Sequence, residues 1–145
     1  MQIRYENDLR GISWERCTEL FQAVGWGTRA PEDIRRAFEK STFVRIAFDQ
    51  DKIVGFGRTV DDGKYYALIA DLIVDPAYQG KGIGTRILKE LKDQLAGFLF
   101  TTLTAAPGKD GFYLSRGWKK QTAAFIWPRS QSQAKLYAQE PPTND

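Results

Sequence analysis

Gln79 to Gly84 reads Gln-Gly-Lys-Gly-Ile-Gly, three glycines alternating with a lysine and an isoleucine. Without Cβ atoms, a backbone of this kind turns sharply and can lie close to a ligand. A helical pattern opens at Ile83, and the first amides of a helix are unpaired and carry the positive end of its dipole. Together these features make a seat for a phosphate or pyrophosphate. The segment contains no G-x-x-x-x-G-K-[ST]. Its third glycine comes one residue too early for G-x-G-x-x-G, and no strand-helix-strand unit precedes it. A glycine-rich turn without a ligand is the other reading of the three glycines taken alone.

The elements on either side must position this loop. Leu68 to Val74 is an apolar run interrupted only by Asp71 and ended at Asp75-Pro76, which predicts a buried strand and a turn. Ile83, Ile87, Leu88, Leu91 and Leu95 share one face at helical spacing, while Lys89, Glu90, Lys92 and Asp93 face outward.

In this setting Gln79-Gly80-Lys81-Gly82-Ile83-Gly84 fits Q/R-x-x-G-x-G/A after a strand ending Val-Asp-Pro. That arrangement resembles the acetyl-CoA signature of the GCN5-related N-acetyltransferase (GNAT) superfamily. Phe112-Tyr113-Leu114-Ser115-Arg116-Gly117-Trp118 resembles the family's F-Y-x-x-x-G-F segment, in the right order and about thirty residues downstream. The finer pattern adds W-x-x-R at Trp26 to Arg29 and V-G-F-x-R-x-x-x-D-G at Val54 to Gly63. It is similar to the serotonin N-acetyltransferase-like branch over roughly residues 20 to 118. Trp118 stands where phenylalanine is commoner.

The resemblance implies an α/β (α+β) GNAT fold: a mixed, mostly antiparallel twisted sheet, splayed between its fourth and fifth strands and flanked by about four helices. Length and composition predict a single domain over residues 1–128 and a polar tail over 129–145, rich in Ser and Gln, whose last residues are expected to be disordered. In that fold the pantetheine arm of acetyl-CoA enters the splay and bonds to main chain at Asp71, Leu72, Ile73 and Val74. Gln79, Gly80, Lys81, Gly82, Ile83, Gly84 and Thr85 hold the pyrophosphate. Lys81 and Arg86 add charge near the phosphates or are solvated surface residues.

Acetyl transfer to an amine needs a neutral nucleophile and a proton for the leaving thiolate. Asp71, read as a lone carboxylate in an apolar strand, is the candidate base, directly or through water, with burial raising its pKa toward a useful range. The alternative is a structural aspartate bonded to backbone near the splay. Tyr113 matches the family tyrosine that lies near the CoA sulfur and can protonate the thiolate; a phenol with pKa near ~10 stays available as a donor. A core aromatic is its other reading. The region between the first two helices often forms the acceptor wall in this family, which makes Trp26 and Arg29 candidate substrate contacts; packing and a solvated charge are the alternatives. No acyl-enzyme is needed in direct transfer.

Composition bounds the rest. A chain of 145 residues is most simply one domain with a real core. A net charge of +3, from 21 basic and 18 acidic residues with no basic block, suits a polyanionic cosubstrate and disfavours nucleic acid. There is no histidine, which removes Ser-His-Asp chemistry and most zinc sites, so no metal is expected. The single cysteine, Cys17, lies on the apolar face of a helix and reads as structural. No signal peptide or spanning segment is visible, and the simplest placement is cytoplasmic.

The remaining elements follow in order. A short strand is predicted at Gln2 to Tyr5, a helix from Trp14 to Gly25 with Ser13 as N-cap, and a second helix opening at Pro31. Phe43 to Phe48 and Lys52 to Val60 form a hairpin, and Tyr65 to Val74 a third strand. Phe98 to Thr104 is the next strand, Asp110 to Arg116 a short helix stopped by Gly117, and Gln121 to Trp127 a last strand. The expected function is transfer of acetyl from acetyl-CoA to a small primary amine, an arylalkylamine or similar. The alternatives are a protein N-terminal or lysine acetyltransferase and a non-catalytic acyl-CoA sensor. A homodimer is common in the family.

Overall fold

The computed structural model describes residues 2–141. The elements run β1 (Ile3–Glu6), α1 (Trp14–Ala23), α2 (Pro31–Glu39), β2 (Val44–Asp49), β3 (Lys52–Asp61), β4 (Tyr66–Val74), α3 (Ile83–Gln94), β5 (Phe100–Leu103), α4 (Asp110–Leu114) and α5 (Gln131–Tyr137). They fall into two compact units, Met1–Thr104 and Ala105–Asp145.

The first unit holds a five-stranded sheet in the order β1-β2-β3-β4-β5. Neighbours are antiparallel except β4 and β5, which run parallel. On one face, Cys17, Leu20 and Phe21 of α1 and Ile34 and Phe38 of α2 pack against Val44, Ile46, Phe48, Ile53, Phe56 and Ile73 of the sheet. Phe56 receives the rings of Phe21 and Phe38, with centroids 5.6 and 5.4 Å away. Burial pushes the Cys17 thiol up to about 12, so it stays neutral and serves as a small core residue.

On the other face lies α3, buried through Ile83, Ile87, Leu88 and Leu91. Two glycines of β3 let it approach. A Cβ at Gly57 would meet Ile87 and Leu91 side chains at 3.0 Å, and one at Gly55 would lie 3.4 Å from the Ile83 side chain.

Local signals placed the helix ends. Ser13 accepts from the Arg16 amide as N-cap of α1. At the other end Gly25 has φ 81°, its amide bonds to Gln22 O, and the Trp26 amide bonds to Phe21 O. This is a Schellman closure, completed by the Trp26 ring on Phe21 at 6.0 Å.

Two differences from the sequence reading concern strands. β5 covers only Phe100–Leu103, because β4 offers it partners only from Tyr66 to Ile69. Gln121 to Trp127 does not form a strand. Among the described residues it joins no ladder, and Phe125 and Trp127 are 96% and 80% exposed. Its β-forming side chains supply propensity, but a strand exists only when a neighbouring edge takes its hydrogen bonds.

Within the second unit α4 closes on Gly117 with φ 90° in the same manner as α1, and Ser130 caps α5 by accepting from the Gln133 amide. The part of the tail expected to be disordered falls largely on residues 142–145, outside those described. No helix among the described residues is long and apolar enough to cross a membrane.

Candidate active site

Beyond Ile69, β4 runs on through Val74 with no β5 partner, so the sheet opens between its fourth and fifth strands. This leaves one side of the main chain at residues 70–74 without a strand. The chain then turns at Asp75, whose carboxylate accepts from the Ala77 amide and starts a single 3-10 turn over Pro76–Tyr78. Gly80 and Gly82 follow at φ 79° and 85°, the left-handed region where only glycine is unstrained. Gly82 is the N-cap of α3 and has no side chain to cap that terminus.

The loop therefore meets the requirements of an anion seat. Lys81 is exposed beside Gly80 and Gly82. Ile83 anchors the seat, for its side chain is buried against Gly55 and only its main chain is available to a ligand. Gly84 and Thr85 form the first turn behind it. Gln79 folds back, its Nε2 donating to Val74 O at 3.0 Å, and so braces the loop on the end of β4. Arg86 is engaged elsewhere: it bonds Glu90 at 2.7 Å and lies over the Tyr5 ring at 3.9 Å. These residues fit the pyrophosphate and pantetheine of acetyl-CoA.

Asp71 occupies a special position in β4. Phe56 pairs with Ile73 and Arg58 with Ala70, so Asp71 and Leu72 together oppose Gly57. That is a β-bulge, and Asp71 takes φ 54°, the conformation usually given to glycine at such a site. Its carboxylate is not lone. Oδ2 accepts from Arg58 Nε at 2.7 Å, and Oδ1 lies 3.4 Å from Arg29 Nη1. Neither pairing is visible in the sequence, because the two guanidinium groups come from residues 13 and 42 positions away.

Beside Asp71 lies a pocket of about 310 Å³ walled by α1, α2 and the loop between them. Phe21, Ile34, Ala37 and Phe38 give it an apolar lining, and Thr28, Arg29, Asp33 and Asp71 its polar groups. The loop is tied to α1 by Thr18 Oγ1 bonding Arg29 O at 2.7 Å and Gln22 Nε2 bonding Thr28 Oγ1 at 3.1 Å. Arg29 lies over the Phe21 ring at 4.3 Å. Arg29 and Asp71 are thus brought together. Trp26 is half-buried on Phe21 and does not line this pocket.

A model of the GNAT acetyltransferase domain matches residues 19–126. The chain belongs to this family. GNAT enzymes are acetyl-CoA-dependent N-acetyltransferases, which accords with the glycine seat at the mouth of the open sheet. Among curated relatives, a ycf52-like N-acetyltransferase of Prochlorococcus marinus is 33% identical over 77% of this chain and 66% of its own length. Serotonin N-acetyltransferase 2 of Oryza sativa is 31% identical over 71% of this chain and 54% of its own. The chain thus spans between half and two thirds of these two relatives. A GNAT-family acetyltransferase from Streptococcus pneumoniae superposes with a TM-score of 0.72, at 31% identity, over 89% of this chain and 100% of its own.

The GNAT tyrosine candidate, Tyr113, sits in α4 of the second unit. Its ring meets Phe112 at 5.0 Å and Trp118 at 6.5 Å, both edge to face. Burial raises its pKa above the ordinary 10.0, which keeps the phenol protonated. The GNAT motifs located the loop and this tyrosine. Arg58 carried no motif that assigned it a role, and Asp33 stood in no quoted pattern. A clue to Asp33 was its place in the first turn of a helix bordering the expected acceptor wall.

Proposed function

We propose that this GNAT enzyme moves the acetyl group of acetyl-CoA directly to the primary amine of a small molecule, an arylalkylamine or an amine of similar size. The observation that carries this reading is the pocket of about 310 Å³ beside Asp71, with its aromatic and aliphatic lining. Its volume suits a small molecule. The rice relative that is named for serotonin acetylation supports an aromatic amine as the first class to try.

Acetyl-CoA supplies the activated acetyl group, and the residues supply position and proton traffic. The Gln79 to Thr85 loop holds the phosphates, and the main chain of Leu72, Ile73 and Val74 receives the pantetheine arm. Asp71, held beside two arginines, draws the amine into the pocket and accepts its proton, directly or through water. Arg29 closes the same wall. The Tyr113 hydroxyl, kept protonated by burial, donates to the departing sulfur.

The test is CoA release from acetyl-CoA over a panel containing tryptamine, serotonin, spermidine, aminoglycosides, amino acids and lysine peptides, with products identified by mass. Turnover of a small amine is the expected result. Turnover of peptides alone, or tight acetyl-CoA binding without any turnover, would overturn it in favour of a protein acetyltransferase or a sensor.

A further inference from the structure

Asp71 holds the left-handed backbone conformation, φ 54°, which strains a residue with a Cβ. A glycine there would avoid the strain, so the side chain must have a use that a glycine lacks. Its closest partner is Arg58, which leaves β3 opposite Ala70, one residue from the bulge.

Arg58 reaches in two directions. Its Nε bonds Asp71 Oδ2 at 2.7 Å, while Nη1 lies 3.5 Å from Ala37 O and 3.4 Å from Ser41 Oγ. The Phe38 ring lies 5.7 Å from the guanidinium carbon. Only 16% of the Arg58 side chain and 11% of the Asp71 side chain are exposed, so water competes weakly for the pair. Ala37 and Phe38 line the pocket at the C-terminal end of α2, and Asp71 lines it from β4. A single guanidinium therefore joins the two walls.

We propose that Arg58 is a positioning residue for acetyl transfer, fixing the Asp71 carboxylate at the bulge and setting the α2 wall at a defined distance from β4. This rests on the reading that the pocket takes the acceptor amine. The fork geometry matters. Lysine can keep the charge beside Asp71 but cannot also reach Ala37 and Ser41 with directed donors. Arg29, 45% exposed and 3.4 Å from Oδ1, holds the carboxylate more loosely and does not bridge to α2.

The experiment compares Arg58→Lys, Arg58→Gln and Asp71→Asn with wild type, using the amine that wild type acetylates fastest in a series of tryptamine, spermidine and L-lysine. Full kinetics in both substrates are recorded with thermal melts. Arg58→Lys should lower kcat about 10-fold and Arg58→Gln about 100-fold. Both should raise KM for the amine and leave KM for acetyl-CoA within about two-fold, because the glycine seat is untouched.

A purely structural role would lower Tm and the active fraction and leave both KM values in place; that result defeats the proposal. So does wild-type kcat and amine KM in both Arg58 variants while Asp71→Asn is impaired, an outcome that spares the Asp71 reading. Wild-type kinetics in Asp71→Asn, or no acetylation of any amine by wild type, removes the acceptor reading itself and the proposal with it. If Arg58→Gln does not fold, the Lys variant decides by the same KM and kcat criteria.

Discussion

The Trp118 amide donates to the Tyr113 carbonyl at 3.1 Å, and the two rings meet edge to face with centroids 6.5 Å apart. With the Gly117 amide on Leu114 O at 3.2 Å, this closes α4 and holds the Tyr113 ring between Phe112 and Trp118. Tyr113→Phe keeps the ring contacts and the closure and deletes only the hydroxyl. It should reduce turnover about ten-fold or more. Acetyl-CoA affinity, measured by calorimetry, should stay nearly unchanged. Unchanged turnover would remove Tyr113 from the acid role.

Gly82 presents a different test, because space and conformation disagree there. A Cβ at Gly82 meets nothing within 4 Å, yet φ is 85° and the residue caps the open end of α3. Gly82→Val should still fold, losing about 1–2 kcal/mol to backbone strain. The branched side chain would occupy the place of a bound phosphate. Acetyl-CoA should then no longer raise the melting temperature, as it should for wild type. A variant that folds and keeps full stabilisation by acetyl-CoA would show that the loop is not the seat.

The contrast between Gly82 and Asp71 shows how far the sequence could be read. Glycines announce positive φ in their own letters, so the loop, the helix stops at Gly25 and Gly117 and the amphipathic faces were all legible. The bulge was hidden because an aspartate fills a glycine's conformation. Its guanidinium partners were hidden because strand register, not sequence spacing, brings Arg58 beside Asp71. The Trp26 ring serves the Schellman closure of α1, a contact between residues five apart that the glycine itself foretells. Gln121 to Trp127 misled through composition, since propensity does not supply a neighbouring edge.

Asp75 links the fold to pH. Burial works against its charge. The Ala77 amide and the Arg16 guanidinium, whose Nη2 lies 2.6 Å from Oδ2, outweigh that and hold its pKa below the ordinary 3.8. A carboxylate with a depressed folded pKa contributes stability above its unfolded value and loses it as pH falls through the folded one. Arg16 also bonds Ile53 O at 2.9 Å, so the pair ties α1 to the turn that leads into the glycine loop. Asp75→Asn should cost about 1–3 kcal/mol at pH 7. Denaturant melts should show that difference shrinking below pH 4. An equal difference at pH 7 and pH 3 would contradict the assignment.

The bulge itself can be tested by comparing two variants that both remove the Asp71 carboxylate. In a regular strand, alanine is the more stable choice, since glycine adds entropy to the unfolded chain. At φ 54° the order reverses, because alanine must carry its Cβ in the left-handed region. Both variants leave Arg58 without its partner, so that loss cancels in the comparison. Asp71→Gly should therefore be more stable than Asp71→Ala by about 1 kcal/mol. Chemical denaturation of the pair measures the difference directly. A more stable alanine variant would mean that Asp71 does not adopt this conformation in solution, and the link from Arg58 through the bulge to the pocket would lose its basis.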